Sequence, residues 1–146
     1  MKPRVCWPIL AKKAHEKVEE AQQQLAAARQ HLERLQANRQ RLQDMYESYR
    51  LKAKEKMQQV QVIAEAANDR QFMAHLLQLI ERVDADLAQA SIGVEQARQA
   101  MLLAEQERMK MDTMVEKDQQ AVRTFERKRE QKQMDALGIT LYNLRT

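Results

Sequence analysis

Two long runs of apolar and small residues, each stepping by three and four, constrain this chain more than any other feature. The first includes Val18, Ala21, Leu25, Ala28, Leu32, Leu35, Leu42, Tyr46, Tyr49, Ala53, Val60, Ile63 and Ala67. The second includes Met73, Leu76, Ile80, Val83, Leu87, Ala90, Val94, Ala97, Met101, Ala104, Met111, Val115, Val122 and Phe125. This is the a/d spacing of a coiled-coil seam. Between the runs lies the polar stretch Asn68-Asp69-Arg70-Gln71, and the heptad phase slips by one residue across it. A continuous coiled coil accommodates insertions of three or four residues better than such a slip. Asn68 followed by Gln71 also resembles a helix-start capping pair. The pattern predicts an all-α fold: two long helices in an antiparallel coiled-coil hairpin. Helix one is placed at about 8–66, the turn at about 67–70, helix two at about 71–135 and a mobile tail at 138–146, all within a single domain spanning 1–146.

A fold-back centred on residue 68 pairs residues whose numbers sum to about 136. Tyr46 then faces Ala90, Arg39 faces Ala97, Ala14 faces Val122 and Ala11 faces Phe125. Large side chains meet small ones, as a thin two-helix core requires.

Composition agrees with long helices. Of the residues, 32% are charged and 4% aromatic, with two Gly and two Pro. Pro3 and Pro8 stand at the start, Pro8 where the first helical turn tolerates it, and Gly138 is expected to end the second helix. A two-helix strip encloses no pocket, so an enzyme is not expected. Cys6 is the single cysteine, which precludes an internal disulfide and fits a reducing compartment. No apolar stretch approaches the roughly 18 residues of a membrane span, and the opening residues are too short an apolar run for a secretory signal.

The net charge of +4 is unevenly distributed. Residues 1–17 carry five Lys/Arg against one Glu, and residues 119–146 carry six Lys/Arg against three acids, while the middle is mildly acidic. A hairpin would bring both basic segments to one end. Arg39 and Lys56 are polar members of the first seam, their alkyl stems packing while the charges reach solvent. Tyr46 and Tyr49 form an aromatic pair in that seam. Phe72, Leu76, Leu79 and Val83 follow at spacings of four, three and four. Phe72, Leu77 and Leu79 flank the seam, which predicts an exposed apolar patch suited to a protein interface. Met101, Met109, Met111 and Met114 read mainly as packing residues.

Several chemistries lack their residues. His15, His31 and His75 have no ligand-spaced Cys or His neighbours, and no glycine-rich phosphate loop exists. No catalytic residue, metal, cofactor or small-molecule substrate is expected. A basic-zipper protein carries its basic helix before the heptads, whereas here it follows them, broken by Glu126 and Glu130. No nucleic-acid partner is expected.

Four segments together carry a family resemblance: Pro8-Ile9-Leu10-Ala11-Lys12-Lys13; Leu42 with Asp44-Met45-Tyr46-Glu47-Ser48-Tyr49-Arg50; Gln71-Phe72 with Leu76; and the run Glu126 to Asp135. In order and spacing they resemble FliJ, the coiled-coil protein family of the flagellar type III export apparatus. The resemblance implies a non-enzymatic stalk that inserts the end bearing both termini into a hexameric export ATPase (FliI-like). It also implies binding to the export-gate membrane protein (FlhA-like) and to export chaperones, in the cytoplasm at the inner face of the inner membrane. It assigns gate binding to Leu42, Tyr49, Phe72 and Leu76, with Tyr46 beside them. Leu79 and Val83 complete the cluster, where a small residue and a histidine would fit the family pattern better. ATPase-ring contact falls to Lys12, Lys13, Arg123, Arg127, Lys128 and Arg129, whose positive field suits an acidic or polar pore. A virulence-secretion stalk and a generic scaffold, such as a parallel dimer of one long helix, are the alternative readings.

Overall fold

The computed structural model describes residues 2–56 and 63–145. It is all-α, with two long helices packed against each other and no strand among the described residues. Helix α1 spans Cys6–Lys56 and helix α2 spans Ile63–Arg145. Pro8 lies in the first turn of α1, where its missing N–H has no helical acceptor to lose. Lys54 and Lys56 end α1 and Glu65 lies in the first turn of α2, each sign suiting its helix terminus.

The chain divides into two compact units, each built from a piece of both helices: Met1–Ala21 with Met101–Thr146, and Gln22–Ala100. In the first unit Ala11, Ala14, Val18, Ala21 and Val122 are buried. In the second the buried residues are Leu25, Leu76, Ile80 and Ala90. No polar side chain is buried among the described residues, so the fully buried part of each seam is apolar.

Within the second unit the helices run antiparallel, as the cross-helix contacts require. Lys56 Nζ lies 3.5 Å from Asp69 Oδ2, Arg39 Nε lies 2.5 Å from Asp84 Oδ1, and the Tyr49 and Phe72 ring centroids are 4.6 Å apart. A parallel helix pair cannot place these residues together. Facing numbers sum to 125, 123 and 121 for these three pairs, not to 136. Arg39 therefore meets Asp84 and not Ala97, and the pairing is displaced by close to two heptads. The cause is generic: a heptad repeat fixes an antiparallel register only to within a whole heptad, and specific cross-helix contacts choose among the solutions.

The expected turn at 67–70 is also corrected. Asn68 to Gln71 lie inside α2, which is described from Ile63, while α1 is described up to Lys56. Residues 57–62 lie outside the described residues. The half-buried line of α2 begins at Ala66 and Asp69 and continues through Met73, Leu76 and Ile80 at three-four spacing. Its second member is a carboxylate, so the apolar pattern starts later than the seam does. Ile63 and Ala67, which the spacing assigned to the first helix, are exposed members of the second.

In the first unit the Arg4 backbone N–H donates to Asp118 Oδ2 at 2.8 Å, and His15 Nε2 lies 3.0 Å from Asp112 Oδ1. Ala14, beside His15, is therefore level with the neighbourhood of Asp112 and not with Val122. Beyond Val122, α2 continues as exposed helix from Arg123 to Arg145, roughly 35 Å at 1.5 Å per residue. The expected tail at 138–146 is thus helical up to Arg145. Gly138 costs a helix only about 1 kcal/mol relative to Ala, no proline follows it, and its neighbours are helix formers.

Candidate functional site

The first candidate surface lies in the second unit. Leu42, Tyr46, Tyr49 and Val83 are half-buried along the seam, and Leu76 is buried with 3% exposure. Phe72, Leu77 and Leu79 stand outside it, with Leu79 47% exposed. Phe72 tilts 52° against the Tyr49 ring, and Lys52 Nζ sits 5.6 Å from the centre of that ring. The geometry is that of a tilted aromatic pair with a cation beside it, exposing apolar surface under a positive charge. The sequence reading had Tyr49 and Phe72 in one functional set but not in contact, because its register paired other residues. Lys52 was missed altogether, though it stands three residues from Tyr49 on the same helix face.

The seam residues hold this patch in place, while its flanking residues face outward. Leu76 occupies the interior of the strip and supports its neighbours; Phe72, Leu77 and Leu79 present themselves to solvent. A shallow groove further along the unit is lined by Ala28, His31, Leu35, Asp86, Ala90 and Gly93. Gly93 accordingly neighbours residues 28–35, whereas a pairing sum of 136 would have set it against Gln43. A Cβ added at Gly93 would meet nothing within 4 Å.

The second candidate surface lies in the first unit. Lys12 and Lys13 are exposed on α1, one turn or less before His15 and its partner Asp112. Arg123, Arg127, Lys128 and Arg129 are exposed on α2 beyond the last buried residue. The six do not form one cluster. Lys12 and Lys13 are level with the region of Asp112, about ten residues of helix short of Arg123. Arg4, whose backbone bonds Asp118, stands closer to the C-terminal cations than they do. On the extending helix Phe125, Lys128, Arg129, Lys132, Gln133 and Ala136 line a groove. A separate stripe, Met134, Leu137, Leu141 and Leu144, is exposed further on, at spacings of three, four and three that the sequence reading passed over.

Charge on the shafts is locally neutralised. Asp112 accepts from Arg108 at 3.1 Å as well as meeting His15, and Arg108 also pairs with Glu105 at 2.9 Å. The Glu105 hydrogen bond is the main reason that the Arg108 guanidinium is held above its ordinary range. Arg98 likewise donates to Glu95, which holds the Glu95 carboxyl below its ordinary range.

No group of three or more His, Cys, Asp or Glu side chains among the described residues is arranged to hold a metal ion. No helix of the described residues is long and apolar enough to cross a membrane. Cys6 is an exposed free thiol.

Neither a curated protein nor a solved structure matches the chain. A family profile described as "Flagellar FliJ protein" matches residues 9–146, nearly the whole length and including both candidate surfaces. The two-helix architecture agrees with the fold that the sequence resemblance implied, and the chain belongs to the FliJ family.

Proposed function

We propose that this flagellar export component is a non-enzymatic stalk that joins an export ATPase ring to the export gate. The end carrying both chain termini would enter the hexameric FliI-like ring, and the apolar patch would engage an FlhA-like gate protein. Export chaperones are further partners, at the cytoplasmic face of the inner membrane. The observation that carries this reading is the family match over residues 9–146. The first unit supports it further, because it joins the N-terminal and C-terminal segments and exposes Arg123, Arg127, Lys128 and Arg129. Cations on a protruding helix create a field that draws in an acidic or polar pore by complementarity.

Burial sorts the seven proposed gate residues by role. Phe72 and Leu79 are exposed and would touch the gate, together with Leu77. Leu42, Tyr46, Tyr49 and Val83 are half-buried and offer partial surface. Leu76 acts from beneath. Replacing Phe72 and Leu79 with Ala should weaken binding to the isolated cytoplasmic domain of the gate by roughly tenfold or more, with helicity unchanged. Unaltered affinity would remove this patch from the mechanism. Charge reversal at Arg123, Arg127 and Arg129 should reduce stimulation of ATPase ring assembly, and full stimulation by that variant would remove the basic helix from ring contact. A virulence-secretion stalk has the same physical requirements; the flagellar family profile favours the flagellar system.

A further inference from the structure

The seam of α2 in the first unit does not stop where α1 stops. Its half-buried line runs Ala104, Arg108, Met111, Val115 and Asp118 to the buried Val122, always at alternating steps of four and three. The same alternation leads on to Phe125, Arg129, Lys132 and Ala136, and these four, with Lys128 and Gln133, line one groove. On the α1 side, helix begins at Cys6, and the Arg4 backbone N–H already donates to Asp118. The helix-receiving face therefore continues past its internal partner.

This continued face has a definite chemistry. Phe125 and Ala136 are its apolar positions, and Lys128, Arg129 and Lys132 are its charges. Glu126, Glu130 and Asp135 lie to either side, roughly 90° to 130° around the helix from the centre of the face at 100° per residue. A purely apolar helix laid here would cover three cations with no counter-charge, which is costly. A helix with apolar seam residues and flanking carboxylates would satisfy both parts of the face.

We infer that the Phe125–Ala136 face is a docking site for an acidic amphipathic helix of another protein, which takes the place in the seam that α1 leaves open. Two observations carry this: continuity with the α1–α2 interface, and a charge of one sign on that face. The inference does not depend on the ATPase ring being the partner. Its assay contains no ATPase, so its failure and a failure of ring stimulation are separate results.

The test uses the full chain and a fluorescent synthetic peptide of about 21 residues, long enough for a marginal helix, with Ile and Leu at a and d and Glu at e and g. Anisotropy should show saturable one-to-one binding that weakens severalfold between about 50 and about 300 mM salt. Lys128→Glu with Arg129→Glu and Lys132→Glu should weaken it by roughly tenfold or more at unchanged helicity. Phe125→Ser should weaken it severalfold, and Leu137→Ser with Leu141→Ser, on a different face, should leave it unchanged. The same peptide with Lys at e and g should not bind. Absent binding of the acidic peptide, or binding indifferent to Phe125 and to the charge reversal, overturns the inference. So does equal affinity for a DNA duplex, which would make the face a general polyanion surface. Charge-dependent capture by phosphatidylglycerol vesicles without capture of the peptide would make it a membrane face instead.

Discussion

Replacing Leu76 with Ala separates what supports the apolar patch from what the patch presents. Leu76 keeps 3% of its exposure, whereas Leu79, three residues away, keeps 47%. Burying a Leu side chain fully is worth about 1.5 to 3 kcal/mol, and Leu→Ala in protein cores costs about 2 to 5 kcal/mol once the cavity is included. The strip here is one helix pair thick, so neighbours can close in and water can reach the gap. That places Leu76→Ala at the low end, about 2 to 3 kcal/mol. The better helix propensity of Ala returns only a few tenths, about 0.2 kcal/mol. Leu79→Ala should cost less than about 0.5 kcal/mol, as surface substitutions do. Urea unfolding of the two variants, followed by far-UV circular dichroism and compared at equal slope, reads the difference directly. If Leu76→Ala proves as mild as Leu79→Ala, Leu76 is not part of the seam. The division of the patch into supporting and presenting residues would then fail.

Spin labels at positions 39 and 84 should lie closer together than labels at 39 and 97 by roughly 10 Å or more, since 13 residues of helix separate the two alternatives; the reverse order would restore the pairing centred on residue 68. Gly93→Ala should stabilise the protein by up to about 1 kcal/mol, because the added methyl meets open space and lowers backbone entropy in the unfolded chain; a loss of stability in thermal unfolding would mean that a close approach there is being blocked. Gly138→Ala should slow amide hydrogen exchange across residues 134–145, and unchanged exchange would argue against helix beyond Gly138. The Glu95 carboxyl, held below its usual 4.5 first by the Arg98 hydrogen bond, should titrate low by nuclear magnetic resonance. Its contribution is present above the ordinary carboxylate range and is lost as pH falls through the depressed midpoint. Arg98→Gln should raise that midpoint, and an unmoved midpoint would dismiss the pair.

The polar seam residues show where reading the sequence ran short. Lys56 was read as a polar member of the first seam, but its cross-helix partner Asp69 was placed in the turn. The polarity of Asn68 to Gln71 read as a turn, although these residues are helical in α2. Arg39 was recognised as a polar seam member but set against Ala97, because a period of seven gives the same fit at every whole-heptad shift. The Arg39–Asp84, Lys56–Asp69 and Tyr49–Phe72 contacts together select the register. The contact between Tyr49 and Phe72 was hidden for the same reason.

By itself, the sequence determined the helical class, the outward placement of Phe72, Leu77 and Leu79, and the family. Each of these depends on local periodicity or on residue identity, which no distant contact alters. Tertiary structure decided which residues meet and how far one helix outruns the other. Those follow from the register, and the register is a sum of small cross-helix energies that differ little from one heptad shift to the next. Because Arg4 already lies beside Asp118, the segment from Arg123 to Arg145 is exposed helix and not a frayed tail.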